Sequence, residues 1–172
     1  MDRTVSAITL RPIGTIRTPF VAATGAPIQG SYADGAEGVV EVLPAYAAGL
    51  RDIEGFERIW LLYAFDRASS PGLMVRPYLD GQERGVFATR APARPNPMGI
   101  SVVRLLRVDG LQLFVADVDM LDETPLLDIK PYVPAFDSFA ASRIGWFEKR
   151  LGAATVADSR FMQDPPANPE VG

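Results

Sequence analysis

Two apolar runs, Ile100 to Val108 and Leu111 to Val118, flank Asp109-Gly110, and this pattern constrains the fold more than any other stretch. Asp-Gly suits the positive-φ positions of a two-residue turn, so the runs read as a hairpin of long strands, partly buried on both faces. Further strands are expected at Ile8 to Thr18, Gly38 to Leu43, Arg58 to Phe65 and Arg84 to Thr89. A short helix fits Pro44 to Asp52, and a longer one fits Asp137 to Leu151 despite Gly145. Strands at short spacing, punctuated by Gly and Pro without βαβ alternation, predict an all-β barrel or sandwich with a few short appended helices.

The chain of 172 residues suits one domain, expected over residues 1–160, with a disordered Pro-rich tail over 161–172. It is 48% hydrophobic and 22% charged, with no apolar run long enough to span a bilayer. Met1 to Phe20 alternates apolar and polar residues unlike a signal peptide, so a cytoplasmic chain is expected. There is no Cys and no His, which removes thiol nucleophiles, imidazole bases and the usual zinc sites, and no metal is expected. Chemistry must use carboxylates, Lys, Tyr, Ser/Thr or a reactive cofactor. No Gly-rich loop follows a strand to open a helix, which excludes a dinucleotide fingerprint or a phosphate-binding loop of the familiar kind.

Two segments carry the candidate chemistry. From Arg84 to Arg107 the chain holds five arginines and no acidic residue, around the stiff loop Arg94-Pro95-Asn96-Pro97-Met98-Gly99. Arg90 and Arg94 there either grip a carboxylate or phosphate or simply reach solvent at a strand connection. Asp109 to Asp128 is an acidic block without Lys or Arg. It enters the loop Asp119 to Tyr132, which turns at Thr124-Pro125 and returns to the core at Leu126-Leu127. Asp119 and Asp122 serve there as turn residues or as acceptors for a ligand. The net charge of −4 argues against a generic polyelectrolyte binder.

The segments Phe87 to Arg90 and Arg94 to Gly99, followed by Asp122-Glu123-Thr124-Pro125-Leu126-Leu127-Asp128-Ile129-Lys130-Pro131-Tyr132, closely resemble the TsaA-like (TrmO) family of S-adenosylmethionine-dependent methyltransferases. The similarity takes in Pro12 to Phe20 and Leu50 to Phe65, and covers about Ile8 to Phe136. Characterised members methylate N6 of threonylcarbamoyladenosine beside the tRNA anticodon. The resemblance implies a small antiparallel β-barrel, homodimeric, that binds the methyl donor without a Rossmann domain. It implies donor contacts at Pro27, Ile28, Gln29, Phe65, Asp66, Arg90, Asn96, Pro97, Met98, Ile100, Asp119, Leu121, Asp122 and Thr124. Three features depart from the pattern: Phe65-Asp66 stands where members usually carry an aromatic and His, Glu123 stands where they commonly carry Gly, and the chain ends soon after the barrel.

Methyl transfer to a urea-type nitrogen requires loss of its proton, for which Asp66, Asp122 and Tyr132 are candidates, with Lys130 able to stabilise charge on the carbonyl. Arg84, Arg94 and Arg104 are the candidate RNA contacts, in a basic face that two copies would assemble. A methyltransferase for a small molecule and a non-catalytic nucleotide- or RNA-binding barrel are the alternatives.

Overall fold

The computed structural model describes residues 7–163, so from residue 164 onward the expected tail lies outside the described residues. Strands β1 (Gly14–Arg17), β2 (Glu37–Val42), β3 (Arg58–Ala64), β6 (Met98–Asp109), β7 (Gln112–Ala116) and β8 (Thr124–Pro131) close an antiparallel barrel in the order β1-β2-β7-β6-β3-β8. Two-residue strands β4 (Met74–Val75) and β5 (Arg84–Gly85) form a separate ribbon. Closure removes every barrel edge, which is how a chain this short builds a core from strands of four to twelve residues.

Alternation decides which side chains enter the core. On β3, Ile59, Leu61 and Tyr63 are buried while Arg58, Trp60, Leu62 and Ala64 face outward. On β6, Gly99, Ser101 and Val103 point in, and Val103 joins Ile16, Val40, Leu113 and Leu126 in the core.

The hairpin forms one residue later than the sequence suggests. Asp109 pairs with Gln112, so Gly110 and Leu111 make the turn, and Gly110 adopts positive φ (58°). Positive φ at the first central position is the pattern of a type II′ turn, which requires Gly there. A register shift between Leu105 and Arg107 bulges β6 just before it.

Four other expectations change. Ile8 to Thr18 pairs only at Gly14–Arg17. Arg84 to Thr89 becomes β5 plus a 3-10 turn at Val86–Ala88, because the Thr89 hydroxyl donates to the Val86 carbonyl (2.9 Å) and curls the chain. The short helix at Pro44–Leu50 forms as a 3-10 helix. The long helix does not form: one α-helical turn spans Pro134–Asp137 and a 3-10 helix spans Gly145–Lys149, with Gly145 at φ 63°, which no right-handed helix continues through.

The largest omission is β8, read from sequence as a loop. Leu126 turns its polar groups toward β1, where its carbonyl accepts from Ile13 (2.8 Å). Pro125 therefore faces the β3 side, just past the last β3 partner, and its missing N–H costs no ladder bond.

Residues 66–97 and 144–162 form a lobe over one end of the barrel, with Val75, Val86, Ala91, Ala93 and Phe161 as its small core. Phe161 is buried and Met162 bridges to Ala68, so the folded chain runs past residue 160.

Candidate functional site

Where the lobe meets the barrel rim, a cavity of about 800 Å³ opens. Its barrel wall comes from the ends of β3 and β6 and from the chain leaving β7. Tyr63 is the last inward residue of β3 and pairs with Gly99. A Cβ at position 99 would lie 2.2 Å from the Tyr63 ring, so only Gly lets the ring cover this strand.

The ring's hydroxyl lies 3.0 Å from the Ser101 hydroxyl, which in turn donates to Asp119 Oδ1 at 2.6 Å. With the Ser101 hydrogen given to Asp119, Tyr63 is the donor to Ser101. Burial pushes the Asp119 carboxyl above the ordinary range, opposed by its hydrogen bonds from Ser101 and the Gly30 amide and by the charge of Arg90. Burial likewise raises Tyr63, so that it stays a neutral hydrogen-bond donor.

Four arginines and four aspartates also line the cavity. Arg58 is paired with Asp117 (3.0 Å), and Asp117 sits at φ 70°, where it ends β7. Arg67 donates through Nη2 to the Asp122 carbonyl (2.5 Å), and its buried Nε faces Asp66 Oδ1 at 3.6 Å, an ion pair too long for a hydrogen bond. Arg90 binds Gln29 side chain to side chain. Arg94 donates to the carbonyls of Val86 (3.1 Å) and Thr89 (3.2 Å), which commits its guanidinium to closing its own loop.

Of the residues expected at the donor, Ile28, Gln29, Phe65, Asp66, Arg90, Met98, Ile100, Asp119, Leu121 and Thr124 line this cavity. Four stand behind it. Pro27 bridges to Val156. Asn96 and Pro97 hold the loop, where the Pro97 carbonyl accepts from the Phe65 amide (2.8 Å). The Asp122 carboxylate accepts from the Thr18 amide (3.0 Å), the capping role open to it from sequence.

Lys130 and Tyr132 lie off the cavity: Lys130 pairs with Asp128 (2.8 Å) and Tyr132 packs edge-on to Trp60 (5.7 Å). Arg84 grips Asp80 (2.6 Å) in the lobe, and Arg104 is exposed opposite Arg58. Sequence reasoning missed Trp60, Tyr63, Arg67, Ser101 and Tyr78. A polar Ser101 at an inward position of an apolar strand was the available signal, since a buried hydroxyl needs a partner.

Among the described residues no cluster of His, Cys, Asp and Glu could hold a metal ion, and no helix is long and apolar enough to cross a membrane.

Comparison with known proteins bears on this cavity. Residues 15–138 match the family described as the tRNA-methyltransferase O N-terminal domain. A Pyrococcus abyssi protein named a probable S-adenosyl-L-methionine-binding protein is 55% identical over 157 residues, covering 90% of this chain and 85% of its own length. The tRNA (adenine(37)-N6)-methyltransferase of Mus musculus is 34% identical over 136 residues, covering 74% of this chain and 31% of that enzyme. A crystal structure of TrmO from Pseudomonas aeruginosa superposes with a TM-score of 0.69 at 39% identity, covering 82% of this chain and 63% of that one. The chain thus spans less than two thirds of the solved TrmO chain and about a third of the mouse enzyme.

Proposed function

The chain belongs to the tRNA-methyltransferase O N-terminal domain family, and from that membership we propose that it transfers a methyl group from S-adenosylmethionine to N6 of an adenine in tRNA. The observation that carries the proposal is the cavity at the barrel rim, in which ten of the residues expected at the donor converge. Its chemistry fits the donor. Aromatic and thioether surface from Phe65, Trp60 and Met98 suits a sulfonium and a purine, and the carboxylates of Asp66 and Asp119 suit cationic groups.

When bound, S-adenosylmethionine supplies a methyl on a sulfonium that departs as a neutral thioether, so no acid is needed at the leaving group. The protein's work is alignment and proton removal. Gly99, Tyr63 and the Pro97 carbonyl set the position of Met98 and Phe65 along one wall. Arg90, anchored by Gln29, sets the other. Asp66 and Asp119, the two carboxylates on the cavity that were expected at the donor, can take the acceptor nitrogen's proton, and the Ser101–Tyr63 chain holds Asp119 in place. Lys130, Tyr132 and the Asp122 carboxylate serve as supports of the wall in this mechanism.

The acceptor is, more finely, threonylcarbamoyladenosine beside the anticodon, and the protein acts in the cytoplasm as a homodimer. The support for a dimer is that Met98 and Ile100 line the cavity yet are 42% and 53% exposed, on the outer face of β3 and β6 with Leu62 and Val102. A second copy would cover this apolar face and wall the cavity's open side. The substitution Ile100→Arg should then give a monomer by light scattering.

Tritium transfer from labelled S-adenosylmethionine to total tRNA tests the function. Label in adenine of tRNA is the expected result. Label only in small molecules would favour a small-molecule acceptor, and no label from protein that binds the donor would leave a non-catalytic barrel.

A further inference from the structure

Of the four aspartates that line the rim cavity, three have their charge met or screened. Asp117 is paired with Arg58 at 3.0 Å. Asp66 faces Arg67 at 3.6 Å with its side chain 42% exposed, where water screens the charge. Asp34 is exposed, at φ 50° in the turn that precedes β2. Asp119 alone joins a desolvated carboxyl to hydrogen-bond partners that are all neutral: the Ser101 hydroxyl at 2.6 Å and the amides of Gly30 and of its own residue.

Few charged or titratable groups face it. Arg90 acts on it through space but gives its hydrogen bond to Gln29. Tyr63 reaches it through Ser101 and stays neutral. An anion among neutral donors is costly to hold in a cavity, because hydrogen bonds only partly stand in for a counter-charge. A cationic ligand supplies that charge, and a neutral ligand of nearly the same shape does not. S-adenosylmethionine and S-adenosylhomocysteine are such a pair: they share adenosine, amine and carboxylate, and differ by one methyl and the positive charge on sulfur.

We propose that Asp119 is the group by which this cavity tells the sulfonium donor from its neutral thioether product. The assignment rests on the methyltransferase function proposed above. Phe65 adds a weaker preference for the cation through its ring face, and that part does not titrate. The carboxylate then changes partner once per turnover. The methyl–sulfur bond breaks with its electron pair left on sulfur, the acceptor nitrogen's pair makes the new bond, and the proton that the nitrogen sheds goes to Asp119. A positive charge beside the carboxylate is thereby exchanged for a proton on it. The spent thioether has no charge left with which to hold its place, and the next donor competes with that proton.

Calorimetric titration with each ligand from about pH 4.5 to 7.5, in two buffers of different ionisation heat, reads both affinity and protons exchanged. Wild-type protein should bind S-adenosylmethionine on the order of tenfold tighter than S-adenosylhomocysteine at pH 7, as expected for charges several ångström apart in a half-wet site. Burial raises the carboxyl above the ordinary Asp range, so the preference should shrink as pH falls toward about 4. In that window donor binding should release protons and product binding should not. Asp119→Asn should cut the preference to about twofold at every pH and abolish the proton release. Asp66→Asn should leave the preference within about twofold of wild type, since water already screens that charge.

Equal wild-type affinities for the two ligands, a preference that survives in Asp119→Asn, or one lost in Asp66→Asn instead would each overturn the assignment. The proton count needs no variant and so holds even if Asp119→Asn folds poorly: equal exchange by both ligands would also overturn it. If wild-type protein binds no S-adenosylmethionine, the function itself fails; if it binds donor and methylates tRNA without separating donor from product, only the role of Asp119 does.

Discussion

On the barrel rim, Asp119 is held by the Ser101 hydroxyl and by the backbone amides of Gly30 and its own residue, and burial raises its pKa. In the lobe, the nearly inaccessible Asp80 receives two bonds from Arg84, and its pKa falls. The contrast separates two uses of a carboxylate. Asp80 is satisfied as an anion and ties together a lobe whose apolar core is only a handful of residues, two of them alanines. Asp119 is met only by neutral donors on a rim backed by the barrel core, which leaves it able to take a proton or hold a cation.

The test with the largest expected effect is Asp119→Asn. Removing a desolvated charge while keeping the Ser101 bond should raise Tm at pH 7, yet lower methyl transfer on the order of a hundredfold if the carboxylate takes a proton. A variant less stable than wild type would erase the contrast, since it would make Asp119 a structural anion like Asp80. Next in size is Gly99→Ala. The added methyl meets the Tyr63 ring at 2.2 Å, so the ring must move off Ser101. Overpacking should cost about 1–3 kcal/mol in urea unfolding and weaken donor binding together. Loss of stability with donor affinity intact would show that the Tyr63–Ser101 chain does not position Asp119.

Much of the barrel wall was legible from sequence because strand alternation is local: Ile59, Leu61 and Tyr63 announce their face, and the hairpin emerges with its turn one residue later, although its second strand stops at Ala116, where Asp117 takes φ 70°, short of the expected Val118. β8 was hidden because Pro125 and Pro131 read as breakers, and their tolerance depends on which neighbour each nitrogen faces. The 137–151 helix failed for a local reason, Gly145, that tertiary context decided. The arginine loop was legible as a platform, but not which arginine does what. Arg90 lines both cavities while Arg94 turns back on its own carbonyls, a difference set by the curl at Val86–Ala88. Trp60, Ser101 and Tyr78 reach the site through partners tens of residues away, which single-strand patterns do not encode.

Asp80 sharpens the comparison through pH. Its folded pKa is lowered by the Arg84 hydrogen bonds, so between that value and the ordinary Asp range the unfolded chain binds more protons. Stability from this contact is complete above about pH 4 and is lost as pH falls through the folded pKa. Asp80→Asn should therefore lower Tm at pH 7, with the gap to wild type closing toward pH 2. Hydrogen exchange at pH 7 should find the weakening in the amides of Val86 and Thr89 and leave those of β3 protected. Equal loss of protection in both regions would mean that lobe and barrel unfold as one unit.

The smallest expected effect concerns Glu123, the residue read from sequence as a departure from a family Gly. Glu123 sits at φ 62°, a conformation that costs a side-chain-bearing residue about 1 kcal/mol and glycine almost nothing. Its carboxylate reaches Arg17 at 2.7 Å, but both side chains are largely in solvent, so the ion pair offsets only part of that cost. Glu123→Gly should consequently stabilise the protein by less than about 1 kcal/mol, the backbone gain exceeding the lost pair. Glu123→Ala keeps the positive φ, forfeits Arg17 and should destabilise. Because the Thr124 hydroxyl closes this turn onto the Leu121 carbonyl at 2.7 Å, neither change should move donor affinity more than twofold. If Glu123→Gly lowers stability while Glu123→Ala does not, the Arg17 pair is irrelevant and the turn is held by the stiffness of a side-chain-bearing residue, which would place the rim's rigidity in its backbone and not in its charges.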